Sequence, residues 1–434
     1  MIEMKRIAII GNGISGVTAA RHIRKRSAKY QITLISAESE HFFSRTALMY
    51  LFMGHMRYED IKPYEDNFWK KNRIELLFNY VERVEGHRNT LIFQDGKELF
   101  YDELIIASGS QPKTFGWKGE ELKGVQTLYS LQDLQKLEKN SKNVQRAVIV
   151  GGGLIGVELA EMLMTRGILV TFLVREPYFW GNVLPKEEGD LVSRHLRSHL
   201  HDLRLDTELD EILADENGSV RAVRTKDGEE IECQLLGLTT GVKPNIGFLK
   251  NSDIKTEQGV LVNKYLQTNL PNVFAIGDCA QFYKHPTGRN NIEQLWYSGK
   301  MMGETIAHTI CVSPLAYQPG MWFNSAKFFD IEYQTYGSVN PFKADKELSL
   351  YWEDTNEEKC MRLVYDAEEN NLLGVNVLGI RMRHAVIEQW VNNKMPIEKV
   401  VSELKKANFD PEFFTVNWRK IKNTFNDQLK QLVP

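Results

Sequence analysis

The feature that most narrows the fold of this chain is a glycine-spaced turn that occurs twice, each time between an apolar strand and a helix. Arg6-Ile-Ala-Ile-Ile10 runs into Gly11-Asn-Gly13-Ile14-Ser15-Gly16, a helical pattern follows to Arg24, and Gln31-Ile-Thr-Leu-Ile35 reads as a second strand. The construction returns 140 residues later, where Arg146-Ala-Val-Ile-Val150 leads into Gly151-Gly-Gly153-Leu154-Ile155-Gly156. A helix then runs to Thr165, Gly167 stops it, and Ile168–Val174 is the next strand. Short, continuously apolar strands are those buried on both faces of a parallel sheet. In each unit the first glycine permits a tight turn and the second lets the backbone approach a pyrophosphate. The third lets helix and strand pack closely, and the helix start, at Ile14-Ser15 and Leu154-Ile155, presents its positive end to the phosphates. With glycine near its usual 7%, chance supplies roughly 0.16 such matches in a chain of this length, and two about 1% of the time. Two bound dinucleotides are therefore expected.

An acid at the end of the second strand of such a unit usually holds the ribose hydroxyls. In the first unit that place falls at Ser36-Ala37, with Glu38 just beyond as the candidate ligand. In the second unit the strand ends Val174-Arg175-Glu176. The acid is missing from its place, and Arg175 is positioned to meet a 2′-phosphate, which favours NADPH over NADH; Glu176 beside it repels the same phosphate. Hence the nicotinamide cofactor is NAD(P)H with the choice open.

Several function classes drop out. The formal net charge of −3 gives nothing to recruit nucleic acid or an anionic membrane. No apolar run reaches the roughly 18 residues that span a bilayer. The N-terminal residues run straight into a strand without signal-peptide anatomy. The four cysteines (Cys233, Cys279, Cys311, Cys360) form neither a pairwise framework nor a metal-like spacing. These features read as a reduced, cytoplasmic protein. His195 and His199 stand four apart on a predicted helix, with His201 beyond. No cysteine or paired carboxylate is positioned in sequence to complete a shell, so no metal site is expected.

Four further segments resemble one superfamily, the two-dinucleotide flavoprotein reductases related to pyridine nucleotide-disulfide oxidoreductases, in its ferredoxin/rubredoxin reductase and nitrite reductase flavin-domain branch. Tyr101-Asp-Glu-Leu-Ile-Ile-Ala107-Ser108-Gly109-Ser-Gln-Pro112 is similar to the family's YDxLIIATGxxP strand, with Ser108 in place of threonine. Leu236–Asn245, containing Gly241, resembles the return strand between the dinucleotide domains. Asn272–Asp278 matches the segment that ends in Gly277-Asp278, whose aspartate holds the flavin ribityl chain. Phe43-Ser-Arg45-Thr-Ala-Leu48 resembles the YxRxxL loop along FAD. These segments span about residues 5 to 310 in the order the family requires. The resemblance implies FAD and NAD(P)H as cofactors, with Val81 meeting the adenine and Glu158 near the nicotinamide. Glu293-Gln294-Leu295 opens a helix that faces the flavin, and Trp296 shields the isoalloxazine. It also implies an α/β fold: two Rossmann-like domains, the second inserted in the first, plus an α+β C-terminal domain. The expected ranges are 1–114 and 241–314 for FAD, 115–240 for NAD(P), and 315–434 for an interface or dimerisation domain.

The first 232 residues contain no cysteine, so the family's dithiol chemistry has no residues to carry it. Cys279 reads as a buried neutral thiol, and His285-Pro-Thr287 echoes a dithiol-reductase motif without its disulfide. After about residue 315, strands are expected at 327–336, 347–352, 360–365 and 373–378. Helices follow, with Ile397, Val400, Val401 and Leu404 on one face and Trp418, Ile421, Phe425 and Leu429 on another. The reading implied is an FAD-dependent NAD(P)H oxidoreductase, a homodimer passing electrons to a ferredoxin- or rubredoxin-like iron–sulfur protein or a small acceptor. Its rivals are an NAD(P)H oxidase or quinone reductase, and a flavin-bound signalling protein resembling apoptosis-inducing factor.

Overall fold

The structure is a computed structural model that describes residues 4–342, 344–354, 358–413 and 415–432. The chain divides into two compact units. One holds the residues up to Lys113, Thr127–Lys139 and Gly241–Pro319; the other holds Thr114–Gln126, Asn140–Thr240 and the chain from Gly320 onward.

The first unit is built on a five-stranded parallel sheet in the order Val273–Ala275, Glu103–Ile106, Lys5–Ile10, Tyr30–Ser36, Ile74–Phe78. Ile7, Ile9, Leu34, Leu104 and Ile105 are buried, as apolar strands covered on both faces require. The helix Ile14–Arg26 packs against the helix Trp296–Cys311. Their approach is close because a Cβ on Gly303 would stand 2.7 Å from the backbone oxygen of Ser15. The two strands where the chain leaves and re-enters this unit, Ser110–Pro112 and Val242–Pro244, lie side by side as an antiparallel pair.

In the second unit a parallel sheet runs in the order Asp202–Arg204, Leu169–Leu173, Arg146–Val150, Leu235–Leu238, Val125–Gln126. The last third supplies a five-stranded antiparallel sheet, in the order Phe323–Phe328, Ile331–Gly337, Leu372–Leu378, Lys359–Asp366, Glu347–Asp354. Helices His384–Asn392, Ile397–Glu403 and Trp418–Leu432 follow it. The expected apolar faces do form this core: Ile397, Val400, Val401, Leu404, Trp418, Ile421 and Phe425 are buried together, and Leu429 packs against them.

One expected strand is two. The run from Lys327 to Tyr336 breaks at Phe329-Asp330, because Phe329 takes a positive φ of 55° and the chain reverses so that Phe328 pairs with Ile331. The run's one turn-forming residue is Asp330, and the positive φ falls on the phenylalanine before it, so strand periodicity passed straight through.

Candidate functional site

In the first unit the strand Lys5–Ile10 ends at Gly11, whose φ is +108°. The Gly11 N–H donates to the Ile35 carbonyl at 2.8 Å, and a Cβ there would lie 2.1 Å from the Ala107 carbonyl oxygen. A Cβ on Gly16 would stand 2.0 Å from the Gly11 oxygen, so these two glycines are demanded by the packing of turn, helix and neighbouring strand. Gly13 differs, since a Cβ there would meet nothing within 4 Å. It is the N-cap of the helix opened by Ile14 and Ser15, and its backbone makes the start without a side-chain cap. The first N–H groups of a helix have no intrahelical partner, and among the described residues no side chain caps them, which leaves an anion-binding end.

The residues around that helix end converge. Ala107 donates its N–H to the Ile10 carbonyl at 2.8 Å, and the Ser108 hydroxyl donates to the Asn245 carbonyl at 2.7 Å. The Asn245 N–H returns a bond to Gly109 at 2.9 Å, and the Gly241 carbonyl accepts from Lys113 at 3.0 Å. Gly277 approaches the Ser15 hydroxyl, and its N–H lies 3.2 Å from the Met302 sulfur. Gln294 donates to the Ser110 hydroxyl at 2.7 Å, which donates to the Asp278 carboxylate at 3.0 Å. Burial pushes the Asp278 carboxyl upward, while Ser110 and the charge of Arg45 oppose it. Val81 is buried opposite Phe93, in a strand pair.

Two acids read in sequence as cofactor ligands have partners within the protein. Glu38 does not stand free for a ribose: Arg45 donates to it through both terminal nitrogens, at 2.9 Å on Oε1, and the Leu131 N–H donates to Oε1 at 2.9 Å. Arg45 also donates to the Tyr129 carbonyl at 2.6 Å and lies 4.5 Å over the Tyr129 ring. Ser36 closes the turn, its hydroxyl accepting from the Glu38 N–H at 3.3 Å, with Ala37 between them. Glu293 is buried in a charge cluster, accepting from Ser298 at 2.8 Å and lying 2.9 Å from Arg289 Nε and 3.3 Å from His285 Nε2. The helix it precedes starts where expected, at Trp296 with Leu295 as an N-cap lacking a side-chain bond. Trp296 is partly exposed and meets Tyr297 edge-on. Tyr129 and Ser110 went unread in sequence because their partners lie 84 and 168 residues away; Ser110 sits in the recognised strand motif, but at one of its variable positions. Cys279 is fully buried and points its thiol at the Ile276 and Ile106 carbonyls, as an inert core residue does.

The second unit repeats the device. Gly151 has φ +117°, donates to the Leu173 carbonyl at 3.1 Å, and holds a Cβ position 2.6 Å from the Thr239 carbonyl oxygen. Thr239 therefore takes the part that Ala107 plays in the first unit. Gly156 packs on Phe172, Gly153 has open space at its Cβ, and the helix Leu154–Met164 starts uncapped by any side chain, with Ile155 in its first turn. Glu158, one turn in, is half-buried, and burial with repulsion from Glu161 raises its carboxyl to about 7. Arg175 donates through Nε to Glu176 at 2.9 Å with most of its side chain exposed. His195 and His199 share a helical face, and Asp330 and Glu358 lie against them, carboxylates that sequence spacing did not place.

Residues 5–303 match the family model described as pyridine nucleotide-disulphide oxidoreductase. An NAD(P)H nitrite reductase of Bacillus subtilis is 28% identical over 349 residues, 80% of this chain and 42% of that protein. An NADH oxidase of Methanocaldococcus jannaschii is 30% identical over 318 residues, covering 70% of each chain. A ferredoxin reductase from Rhodopseudomonas palustris shares the fold with a TM-score of 0.81 at 20% identity, covering 97% of this chain and 100% of that one. The chain spans about half the length or less of two Bacillus subtilis relatives that it matches over most of its own. With its two glycine turns, their uncapped helices and the match across both, the chain belongs to the pyridine nucleotide-disulphide oxidoreductase family, whose members bind FAD and NAD(P)H.

Proposed function

We propose that this chain is an FAD-dependent NAD(P)H oxidoreductase that hands electrons to a separate acceptor. The observation that carries the proposal is the repeated cradle: a glycine turn backed by the carbonyl of a crossing strand, at Ala107 and at Thr239, in front of a helix with no side-chain cap. The residues fit two pyrophosphates, because the space at Gly13 and Gly153 is open and the helix ends are electropositive. When bound, the two cofactors supply the hydride chemistry.

Residues 1–114 and 241–314 form the FAD domain, 115–240 the NAD(P) domain, and 315–434 the interface domain of a homodimer. Asp278, steadied by Ser110 and Gln294, holds the ribityl hydroxyls. Arg45 lies along FAD, and its bond to Glu38 orients it. Val81 meets the adenine, and Ser108 and Gly109 fix the crossing strand. The start of the helix Trp296–Cys311, uncapped by a side chain, would offer its positive end to a bound flavin. Trp296 shelters the ring, and Glu158, near 7, places a titrating carboxyl on the nicotinamide side. Leu295 caps the helix, while Glu293, turned inward, braces it.

The acceptor is a ferredoxin- or rubredoxin-like iron–sulfur protein or a small molecule. The lack of any cysteine before Cys233 removes a dithiol relay beside the flavin. The likeness to an NADH oxidase supports a second reading, oxygen as acceptor. The test is anaerobic titration of the purified yellow protein with NADH and with NADPH. Bleaching of the flavin band by one of them is expected, and bleaching by neither refutes the proposal. Consumption of NAD(P)H in air at full rate without an added carrier selects the oxidase reading.

A further inference from the structure

We propose that the last turn of the helix Lys186–His199 and the hairpin turn at Asp330 together bind one divalent first-row transition ion, zinc being the ion the ligand set fits. His195 and His199 stand one turn apart, and one ligand atom from each of His195, His199 and Asp330 lies within 4.8 Å of the others. Nε2 of His195 is 2.8 Å from Asp330 Oδ1, and Nε2 of His199 is 3.7 Å from the same oxygen. Two ligands of one zinc ion, bonded at about 2.0–2.2 Å, lie roughly 3–3.5 Å from each other. The two histidine–carboxylate separations bracket that value, and the widest pair of the set, within 4.8 Å, closes as the ion binds.

The far nitrogens of both rings are held so that the near ones present lone pairs. His195 Nδ1 is 2.7 Å from Glu358 Oε2, an acceptor when ionised. His199 Nδ1 is 3.0 Å from the His195 carbonyl, which can only accept. The Ser198 hydroxyl, 3.1 Å from that nitrogen, spends its own hydrogen on the His195 carbonyl at 2.7 Å. With hydrogen on both Nδ1 atoms, two Nε2 lone pairs and a carboxylate oxygen face one another. Such an array is repulsive until a cation enters it. A carboxylate or carbonyl on the outer ring nitrogen is the arrangement that orients histidine toward a metal.

A second observation points the same way. His195 is 1% exposed, yet its Nε2 makes no hydrogen bond among the described residues, although Asp330 is within 2.8 Å. The oxygen therefore lies off the line of the ring nitrogen, where a neighbour on a coordination sphere belongs and a hydrogen-bond acceptor does not. The Phe329 ring stacks on His199 at 4.8 Å and meets His195 at 6.5 Å, fixing both imidazoles. Asp330 is largely exposed, so water completes the shell on that side. Two imidazoles and one carboxylate suit zinc better than calcium or magnesium, which take oxygen ligands. The ion would tie the helix to the hairpin without entering the redox chemistry.

The test uses the full-length chain without a histidine tag, stripped with chelator and titrated with zinc sulfate by calorimetry, then with cobalt(II) for its visible ligand-field bands. One equivalent is expected, with ligand-field bands that zinc displaces and a rise in melting temperature. D330N, an exposed turn position that leaves the fold intact, is expected to lose the site. E358Q should bind about tenfold more weakly, and H201A should bind as the parent does. Absence of binding by the parent at millimolar zinc overturns the proposal, as does unchanged affinity in D330N. So does a nitrogen NMR spectrum showing His195 protonated on both ring nitrogens at neutral pH in the presence of zinc, since a proton then fills the place assigned to the metal.

Discussion

Gly11 and Gly13 stand two residues apart in one turn, yet the structure assigns them to different tasks, and substituting each by alanine separates the two. A Cβ at Gly11 would lie 2.1 Å from a backbone oxygen and would have to sit at φ +108°. The left-handed backbone costs about 1–2 kcal/mol and forced overpacking about 1–3 kcal/mol more. G11A should therefore destabilise the apoprotein by about 2–5 kcal/mol, or roughly 4–20 °C at 2–4 °C per kcal/mol for a unit of this size. A Cβ at Gly13 meets nothing within 4 Å, and its φ of −72° suits any residue. G13A should leave the apoprotein melting as the parent does. It should instead keep a pyrophosphate away from the helix end, forfeiting about one charge-assisted hydrogen bond, worth roughly 1.5–3 kcal/mol. That is about a 10- to 150-fold loss of FAD affinity at 1.4 kcal/mol per decade. The assays are thermal melting of the apoproteins and flavin-fluorescence quenching on titration with FAD. G13A binding FAD like the parent, or G11A apoprotein melting with the parent, would falsify the division of labour.

Three other outcomes are expected. Glu158 is raised to about 7, so its carboxylate forms as pH climbs through neutrality. The rate of flavin bleaching should show an inflection there that E158Q removes; because the raised carboxyl favours the protonated folded state, stability should fall from about pH 4.5 to 7 in the parent and not in E158Q. Glu176 competes for Arg175, and E176Q should raise kcat/KM for NADPH relative to NADH about fivefold, on the scale of a surface ion pair of about 1 kcal/mol; an unchanged ratio refutes a part for Arg175 in reading the 2′-phosphate. Arg362 donates to buried Glu188 at 2.7 and 2.9 Å, to Glu187 at 2.7 Å and to Ser349 at 2.8 Å. R362M strands the Glu188 charge and should cost about 3–5 kcal/mol by thermal melting, with much of the loss recovered in R362M/E188Q.

The parts of the molecule legible in sequence are those where backbone geometry leaves a local signature. The two turns needed glycine at Gly11 and Gly151, and the apolar strands around them needed no partner to be recognised. The faces through Ile397–Leu404 and Trp418–Phe425 showed their helical period for the same reason. What stayed hidden depends on which side chains meet in space, near or far along the chain, and on a turn that no residue type announces. Glu38 has the spacing of a ribose ligand, but its state is set by Leu131 and Arg45, the first of them 93 residues away. Glu293 reads as a ligand until His285, Arg289 and Ser298 enclose it. Asp330 vanished inside an apparent strand because Phe329 adopts its positive φ without the residues that advertise one.

The order of strands in the first sheet also bears on how the chain is born. Glu103–Ile106 has the strand Lys5–Ile10 on one side and Val273–Ala275 on the other, and it meets the latter through Leu104, Ile105 and Ile106. During synthesis at about 5–20 residues per second, that outer neighbour emerges roughly 10–30 s after Ile106 has left the ribosome. For that interval an apolar edge with open N–H and carbonyl groups waits in the nascent chain, the kind of edge that pairs with the wrong strand. Stalling between residues 106 and 273 should therefore leave a nascent chain that recruits holdase chaperones, and release past Ala275 should end that recruitment.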